Sequence, residues 1–377
     1  MKVATPKELL HDEHRVALVP DTVTKLIAAK LDVAIQAGAG VEAFIPDDAY
    51  QAAGAKVVTH AADMLQDAQV VLKVQAPMPS EVTLLAKGSL LISFLQPATQ
   101  GDIVKALASR GVTAFSLELL PRISRAQSMD ALSSQASAAG YKAVLMAGER
   151  LGKFFPMMMT AAGTVAPARV LVMGAGVAGL QAIATARRLG AVVSAYDVRP
   201  AVKEEVQSLG ATFVELALEA QEGEGGYARE QSEEFLKKQR ELIGEHVAKS
   251  DVVITTAAVP GRKAPLLVTG EMVKGMRPGS VIVDLAAETG GNVELTQAGK
   301  DVLVGGVTII GAQNVPSTMA LHTSQLFARN VANLLLHLVK NKAITLDFED
   351  EITRGSCVTH GGEIVNERAK QLVSTPS

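Results

Sequence analysis

Three glycines and an aspartate are spaced as a nucleotide would require. Residues 170–197 read VLVMGAGVAGLQAIATARRLGAVVSAYD, with Gly174, Gly176 and Gly179 between a short apolar run and an Ala-rich segment. In a strand, turn and helix, the first glycine permits the tight turn and the second lets the backbone approach a pyrophosphate. The third brings helix and strand into close packing. The helix that follows then turns unpaired N–H groups and the positive end of its dipole toward the phosphates. A second apolar run ends on Asp197, whose carboxylate can accept the hydroxyls of an adenine ribose and would repel a 2′-phosphate. The pattern therefore points to NAD(H) over NADP(H), although Arg199, two residues on, admits the opposite reading as a 2′-phosphate ligand.

A second polar constellation is PRISRAQSMDALSSQ, residues 121–135, which carries Arg122, Gln127, Asp130 and Ser133. It follows a strand and precedes a long helical run, and ligand sites in open α/β proteins are built at such strand ends. It could equally be a capped helix start, with Asp130 or Ser133 as N-cap and the arginines solvated. No metal is expected: the 7 histidines are scattered, and His11 and His14 have no third ligand nearby.

The elements that must hold these residues follow from the alternation of short β-rich runs with helical segments. Strands are expected at 2–5, 32–36, 56–58, 70–74, 90–95 and 113–117, and again at 170–173, 192–197, 212–215, 252–256, 281–285 and 307–310. This predicts an α/β protein of two Rossmann-like, doubly wound parallel-sheet domains joined by long helices. The first comprises 1–132 with 322–377, the second 133–321. The linking helices are placed at 133–155 and 324–340, with Met157, Met158 and Met159 as apolar packing beside the hinge and the tail 344–365 completing the first domain. Residues 218–249 form a long insertion in which Gly226 and Tyr227 precede a highly charged segment, 230–242, expected to be helical; the insertion is read as a lid.

At 377 residues, with 48% hydrophobic and 20% charged residues, the chain is long enough for two cores. A net charge of -3 offers no basic stripe, which argues against nucleic acid as a partner. The N-terminus lacks a signal-peptide pattern, no apolar run is long enough to span a bilayer, and the single Cys357 suits a reducing cytoplasm.

The stretches PRISRAQSMDALSSQ, MMMTAAGTVAPARVLVMGAGVAGLQAIATARRLGA, GGYARE and VDLAAETGGN together resemble the NAD(H)-binding component of proton-translocating nicotinamide nucleotide transhydrogenase, over almost the whole chain. The resemblance implies a homodimer that docks on a membrane-embedded proton-channel subunit and a separate NADP(H)-binding component. It also implies a separate subunit, peripheral on the cytoplasmic face of the inner membrane. By the same resemblance, Arg122, Gln127, Asp130 and Ser133 hold the nicotinamide and its ribose, the first three aligning the reacting ring. Gly174, Gly176, Val177 and Gly179 take the pyrophosphate, and Asp197, Val198 and Arg199 the adenosine ribose. Gly226, Tyr227 and Gln239 belong to the mobile loop, and Ala258 faces the cofactor. Hydride transfer between two nicotinamides requires close approach but no proton transfer, so the absence of an obvious acid–base pair agrees with this reading.

Alanine dehydrogenase is similar in fold and glycine turn. Arg15 and Lys73 match positions that bind pyruvate in that family, but Gln96 stands at the catalytic histidine and Glu288 at the catalytic aspartate. Glutamine cannot shuttle the proton that reductive amination requires. Arg15 and Lys73 then read as ion pairs holding the first domain. A non-enzymatic NAD(H)-sensing module would use the same glycine turn, but would need to grip only the adenosine half.

Overall fold

The computed structural model describes residues 1–215, 233–258 and 263–374. They form two compact units, Met1–Gln135 with Pro316–Ser377, and Ala136–Val315. The first is built on eight strands, ordered Glu363–Ile364, Cys357–His360, Thr113–Ser116, Leu90–Ser93, Val70–Leu72, Lys2–Thr5, Asp32–Gln36, Lys56–Val58. The six drawn from the N-terminal part of the chain are parallel and lie in the order 3-2-1-4-5-6, the doubly wound arrangement. The tail adds Cys357–His360 antiparallel to Thr113–Ser116 and closes with a hairpin. Every residue of Val70–Leu72, Leu90–Ser93 and Thr113–Ser116 is buried, as continuous apolar runs demand when both sheet faces are covered.

Helix Ala320–Leu338 supplies much of that cover. Its Phe327, Val331, Leu334, Leu335 and Leu338 are fully buried and share one core with Ile35, Leu72, Ile92 and Phe115. The helix is thus a core element of the first unit rather than only a connector. Cys357 is a free, fully buried thiol.

The second unit repeats the strand order. Thr212–Phe213, Val192–Tyr196, Arg169–Met173, Val252–Thr255, Val281–Asp284 and Val307–Gly311 are parallel, and Asp301–Val304 adds an antiparallel edge that the sequence pattern did not show. Helix Ala131–Arg150 carries the chain from the first unit into the second. There its Ala143, Val144 and Ala147 pack in one core with Ala182, Ile183 and Ala186 of helix Val177–Arg188. Small residues let these helices come close. A Cβ on Gly140 would lie 2.0 Å from the Ala178 carbonyl oxygen.

Three expectations are corrected. Met157, Met158 and Met159 are not packed; they are 56%, 38% and 78% exposed, because the strands Met158–Thr160 and Gly163–Val165 pair only with each other. Helix Ala131–Arg150 stops five residues short of the expected end. Most of the expected lid is an ordinary crossover helix, Glu233–Lys249, held to the second sheet by buried Ile243 and Val247. The helix itself agrees with the expectation for the charged segment; its anchoring on the sheet is what differs from a lid. Gly226 and Tyr227 lie outside the described residues.

The two glycines of the linking helix should respond in opposite directions. Gly140→Ala forces the helices apart and should destabilise by about 1–3 kcal/mol. Gly148→Ala has its nearest neighbour, Phe155, at 3.4 Å and should stabilise by roughly 0.5–1 kcal/mol through helix propensity. Urea unfolding midpoints of the two variants decide this; equal shifts would contradict the packing.

Candidate functional site

The glycine turn grows directly out of strand Arg169–Met173, whose last four residues are buried. The chain reverses at Gly174, where φ is +101° and an added Cβ would lie 2.6 Å from Thr256 Oγ1. At Gly179 a Cβ would be 1.8 Å from the Gly174 carbonyl oxygen, so only glycine lets helix Val177–Arg188 seat against the strand. Gly176 differs: nothing lies within 4 Å of its would-be Cβ. It is the helix N-cap, and no side chain caps that end. Two glycines therefore serve packing and one serves approach, the division that a pyrophosphate requires. Val177 opens the helix and is 45% exposed.

Asp197 stands one residue past strand Val192–Tyr196. Its Oδ2 accepts from the Ala175 N–H at 2.7 Å and Arg199 Nη2 at 2.9 Å, and its Oδ1 from the Arg199 N–H at 2.9 Å and Nε at 3.0 Å. The carboxylate thus pins the glycine turn to the end of the second strand and is occupied by the Arg199 guanidinium. Burial alone would push the Asp197 carboxyl up. The Arg199 and Ala175 hydrogen bonds outweigh it and hold the group below its ordinary value. Arg199, spent on Asp197, is not poised as a lone 2′-phosphate ligand. Val198 between them is exposed. Gln239 is corrected from lid to helix Glu233–Lys249, where its amide donates to the Tyr196 hydroxyl beside Asp197.

Further residues of this unit escaped the sequence reading. Thr256 Oγ1 donates to the Gly174 carbonyl at 3.0 Å and closes the turn from the neighbouring strand. Asp284, fully buried, accepts from Thr255 Oγ1, Ala286 N, Asn292 N, Val293 N and Thr296 Oγ1. Asn292 in turn donates to the carbonyls of Ala257 and Pro265, both at 2.8 Å. These bonds fix the segment carrying the exposed Ala258 at the end of strand Val252–Thr255. The signal was present in VDLAAETGGN, where an aspartate ends an apolar run. Glu288 is exposed in the same segment and accepts from the Asn314 N–H.

In the first unit, the polar stretch forms a 3-10 turn, Ser124–Met129, anchored by buried Ala126 and Met129. Arg122 and Gln127 are exposed. Asp130 accepts from the Ser133 N–H at 2.9 Å and from Ser133 Oγ at 2.6 Å, so it caps the start of helix Ala131–Arg150. The cap fixes the loop, and its arginine and glutamine remain exposed.

Arg15 and Lys73 both lie buried in ion-paired clusters. Arg15 is gripped on both sides by Glu13, at 2.7 and 2.6 Å, and donates to Gln135 at 2.8 Å. Lys73 lies 3.2 Å from Glu8 and 2.9 Å from Glu81. Burial would lower its pKa, but the two carboxylates hold the ammonium above its ordinary value. It is Gln75 that joins the Arg15 cluster, donating to Glu13 and accepting from Gln96. Arg15 and Lys73 are both ion-paired within the first unit, in keeping with their reading as structural charges rather than a pyruvate site. Among the described residues, no group of three or more His, Cys, Asp or Glu could hold a metal ion.

A doubly wound sheet with an open glycine turn at its strand-order reversal defines an α/β dinucleotide-binding protein. Comparison with known proteins narrows the class. The chain belongs to the Alanine dehydrogenase/PNT family, matching its N-terminal domain over residues 4–139 and its C-terminal domain over 143–367. It is 52% identical over 376 residues to the first part of NAD(P) transhydrogenase subunit alpha from Rhodospirillum rubrum, covering 97% of this chain and 98% of the relative. The crystal structure of a transhydrogenase from Sinorhizobium meliloti superimposes with a TM-score of 0.89 at 49% identity, covering 97% and 100% of the two chains. An L-alanine dehydrogenase gives a TM-score of 0.84 at 27% identity, over 99% of each chain.

The Asp197 network sets an acid limit on stability. A carboxyl held below its unfolded value of 3.8 contributes stability that is complete above that value and is lost as pH falls through the depressed one. Urea midpoints measured between about pH 6 and pH 3 should fall more steeply for the native chain than for Asp197→Asn. Parallel pH dependence would show that Arg199 and Ala175 do not favour the ionised form.

Proposed function

We propose that this chain is the NAD(H)-binding subunit of a proton-translocating NAD(P) transhydrogenase, passing hydride between its NADH and NADP+ held on a partner component. The observation that carries the reading is the Gly174, Gly176, Gly179 turn, closed at both outer glycines and open at the middle one above an uncapped helix. The identity to transhydrogenase alpha subunits supports this choice within the family. So does Gln96, a side chain unable to move the proton that alanine dehydrogenation needs.

Bound NADH supplies the hydride; the chain supplies binding and alignment. The Gly176 and Val177 backbone and the helix N-terminus take the pyrophosphate, with Gly174 and Gly179 shaping the turn. Asp197, Val198 and Arg199 take the adenosine ribose, Arg199 yielding some of its bonds to Asp197 as the hydroxyls arrive. Gln239 steadies that end through Tyr196, and Ala258 lies against the nucleotide. Arg122 and Gln127 orient the nicotinamide and its carboxamide, while Asp130 and Ser133, bonded to each other, fix the loop and the adjoining ribose. The two reacting carbons must approach to about 3–3.5 Å, so the role of these side chains is positional.

Among the described residues no helix is long and apolar enough to cross a membrane. The proposal assigns proton translocation to a membrane-embedded partner subunit and places this chain peripherally on the cytoplasmic face. It also assigns a homodimer, supported by the exposed hairpin with Phe154, Met157, Met159 and Val165 at 55%, 56%, 78% and 45% exposure, the kind of apolar surface a second copy would cover.

Rapid mixing of the NADH-loaded chain with an NADP+-loaded partner component tests the activity. Hydride transfer should occur with the partner and be absent with pyruvate and ammonia alone; the reverse result would establish alanine dehydrogenation instead. Asp130→Asn should slow transfer by about tenfold or more, equivalent to roughly 1.4 kcal/mol of lost alignment. For the dimer, Met159→Glu should lower the mass measured by light scattering toward that of one chain, and an unchanged mass would remove the hairpin from the interface.

A further inference from the structure

The loop carrying Arg122 and Gln127 is held by one polar stripe of helix Ala320–Leu338. Asn330, Asn333 and His337 are spaced so that all three share a helix face. The Nδ2 atoms of Asn330 and Asn333 both donate to the Ser128 carbonyl, at 3.0 and 3.1 Å, engaging one loop acceptor twice. The Asn333 amide is oriented from its other side, because Lys25 Nζ, which can only donate, meets Oδ1 at 2.7 Å. Asn330 Oδ1 accepts from Ser134 Oγ at 2.8 Å. At the other end of the stripe, His337 Nε2 lies 2.8 Å from Asp350 Oδ2, and Asp350 Oδ1 accepts from Arg125 Nη2 at 3.0 Å. Asp350 also caps helix Glu351–Ser356 through the Thr353 N–H at 3.2 Å, so it does not swing freely. Burial alone would raise its carboxyl, but the bonds from His337 and Arg125 prevail and hold it at about 2.

The loop is therefore grasped at two points, the Arg125 guanidinium and the Ser128 carbonyl, which flank Gln127 and lie between Arg122 and Asp130. A buried helix could cover such a loop with aliphatic side chains. Committing two amides and a carboxylate costs desolvation and fixes direction in return.

We infer that Asn330, Asn333 and Asp350 are positioning residues for the nicotinamide end of bound NADH, acting through Ser128 and Arg125 to set where Arg122 and Gln127 point. The inference rests on the proposed assignment of residues 122–133 to the nicotinamide. Since alignment errors near 1 Å can cost about 100-fold in such reactions, loosening this clamp should be felt at the nicotinamide and its ribose and nowhere else on the nucleotide.

The test is calorimetric titration of the full chain with NADH and, separately, with ADP, which retains the adenosine and pyrophosphate but lacks the nicotinamide and its ribose. Asn333→Ala and Asp350→Asn should each weaken NADH by about 5-fold to 10-fold, the loss of one ordinary or charge-assisted hydrogen bond, and leave ADP within about twofold. Amide exchange over residues 122–130 should quicken in both variants, and Asp350→Glu should recover part of the NADH affinity. Arg122→Ala is the reference. If it weakens NADH selectively while the clamp variants bind both ligands as the native chain does, the clamp is overturned and the loop assignment stands. If Arg122→Ala leaves NADH affinity unchanged, the loop assignment fails and the clamp's role fails with it. Equal weakening of both ligands by the clamp variants would reduce the three residues to general structural support.

Discussion

The Gly174 carbonyl oxygen occupies the space that any side chain at position 179 would need. That single close contact lets helix Val177–Arg188 start directly above the end of its strand, with its N–H groups gathered over one point. Thr256 donates to the same carbonyl from the next strand, and Asp197 holds the Ala175 N–H from the other side. The turn is thus braced by both strands adjoining its own. A larger residue at either outer glycine would lift the helix and dissolve the brace, whatever the rest of the sheet did.

The two sheets make an internal comparison. Each has the strand order 3-2-1-4-5-6, and each therefore has a crevice where that order reverses. In the second unit the crevice mouth is shaped by backbone and left open at Gly176. In the first, the same topological position is filled from within: Glu8, just past the first strand, accepts from the Val74 N–H at 2.6 Å and pairs with Lys73, just past the fourth. One architecture thus yields one open crevice and one plug of buried ionisable groups. The difference lies in a few residues at two strand ends, which is why fold alone did not identify function.

The strands of both sheets were legible in the sequence because fully buried strands must be short apolar runs, and these runs are separated by recognisable helical segments. The glycine turn was equally legible, since each of its three positions answers a steric demand that only glycine meets. Elements anchored by few residues were less so. Glu233–Lys249 was legible as a helix but not as a crossover packed on the sheet, since it is anchored through Ile243 and Val247, and the edge strand Asp301–Val304 alternates in exposure with no continuous apolar run. The exposed Met157, Met158 and Met159 misled for the converse reason: apolar character signals burial only when something covers it. Partners distant in sequence were not legible at all. Nothing in residues 121–135 announces Asn330, Asn333 or Asp350, and nothing near Lys73 announces that its counter-ions are Glu8 and Glu81 rather than a substrate.

The solitary cysteine has a practical corollary. Cys357 lies in the first sheet with no exposed surface, and burial pushes its thiol up to about 12, which suppresses the thiolate on which alkylation depends. The folded chain therefore behaves chemically as though it had no cysteine. A thiol introduced at any exposed position, such as the fully presented Phe44 at 81% exposure, would be the sole reactive handle for a fluorophore or spin label, with no native residue first having to be removed.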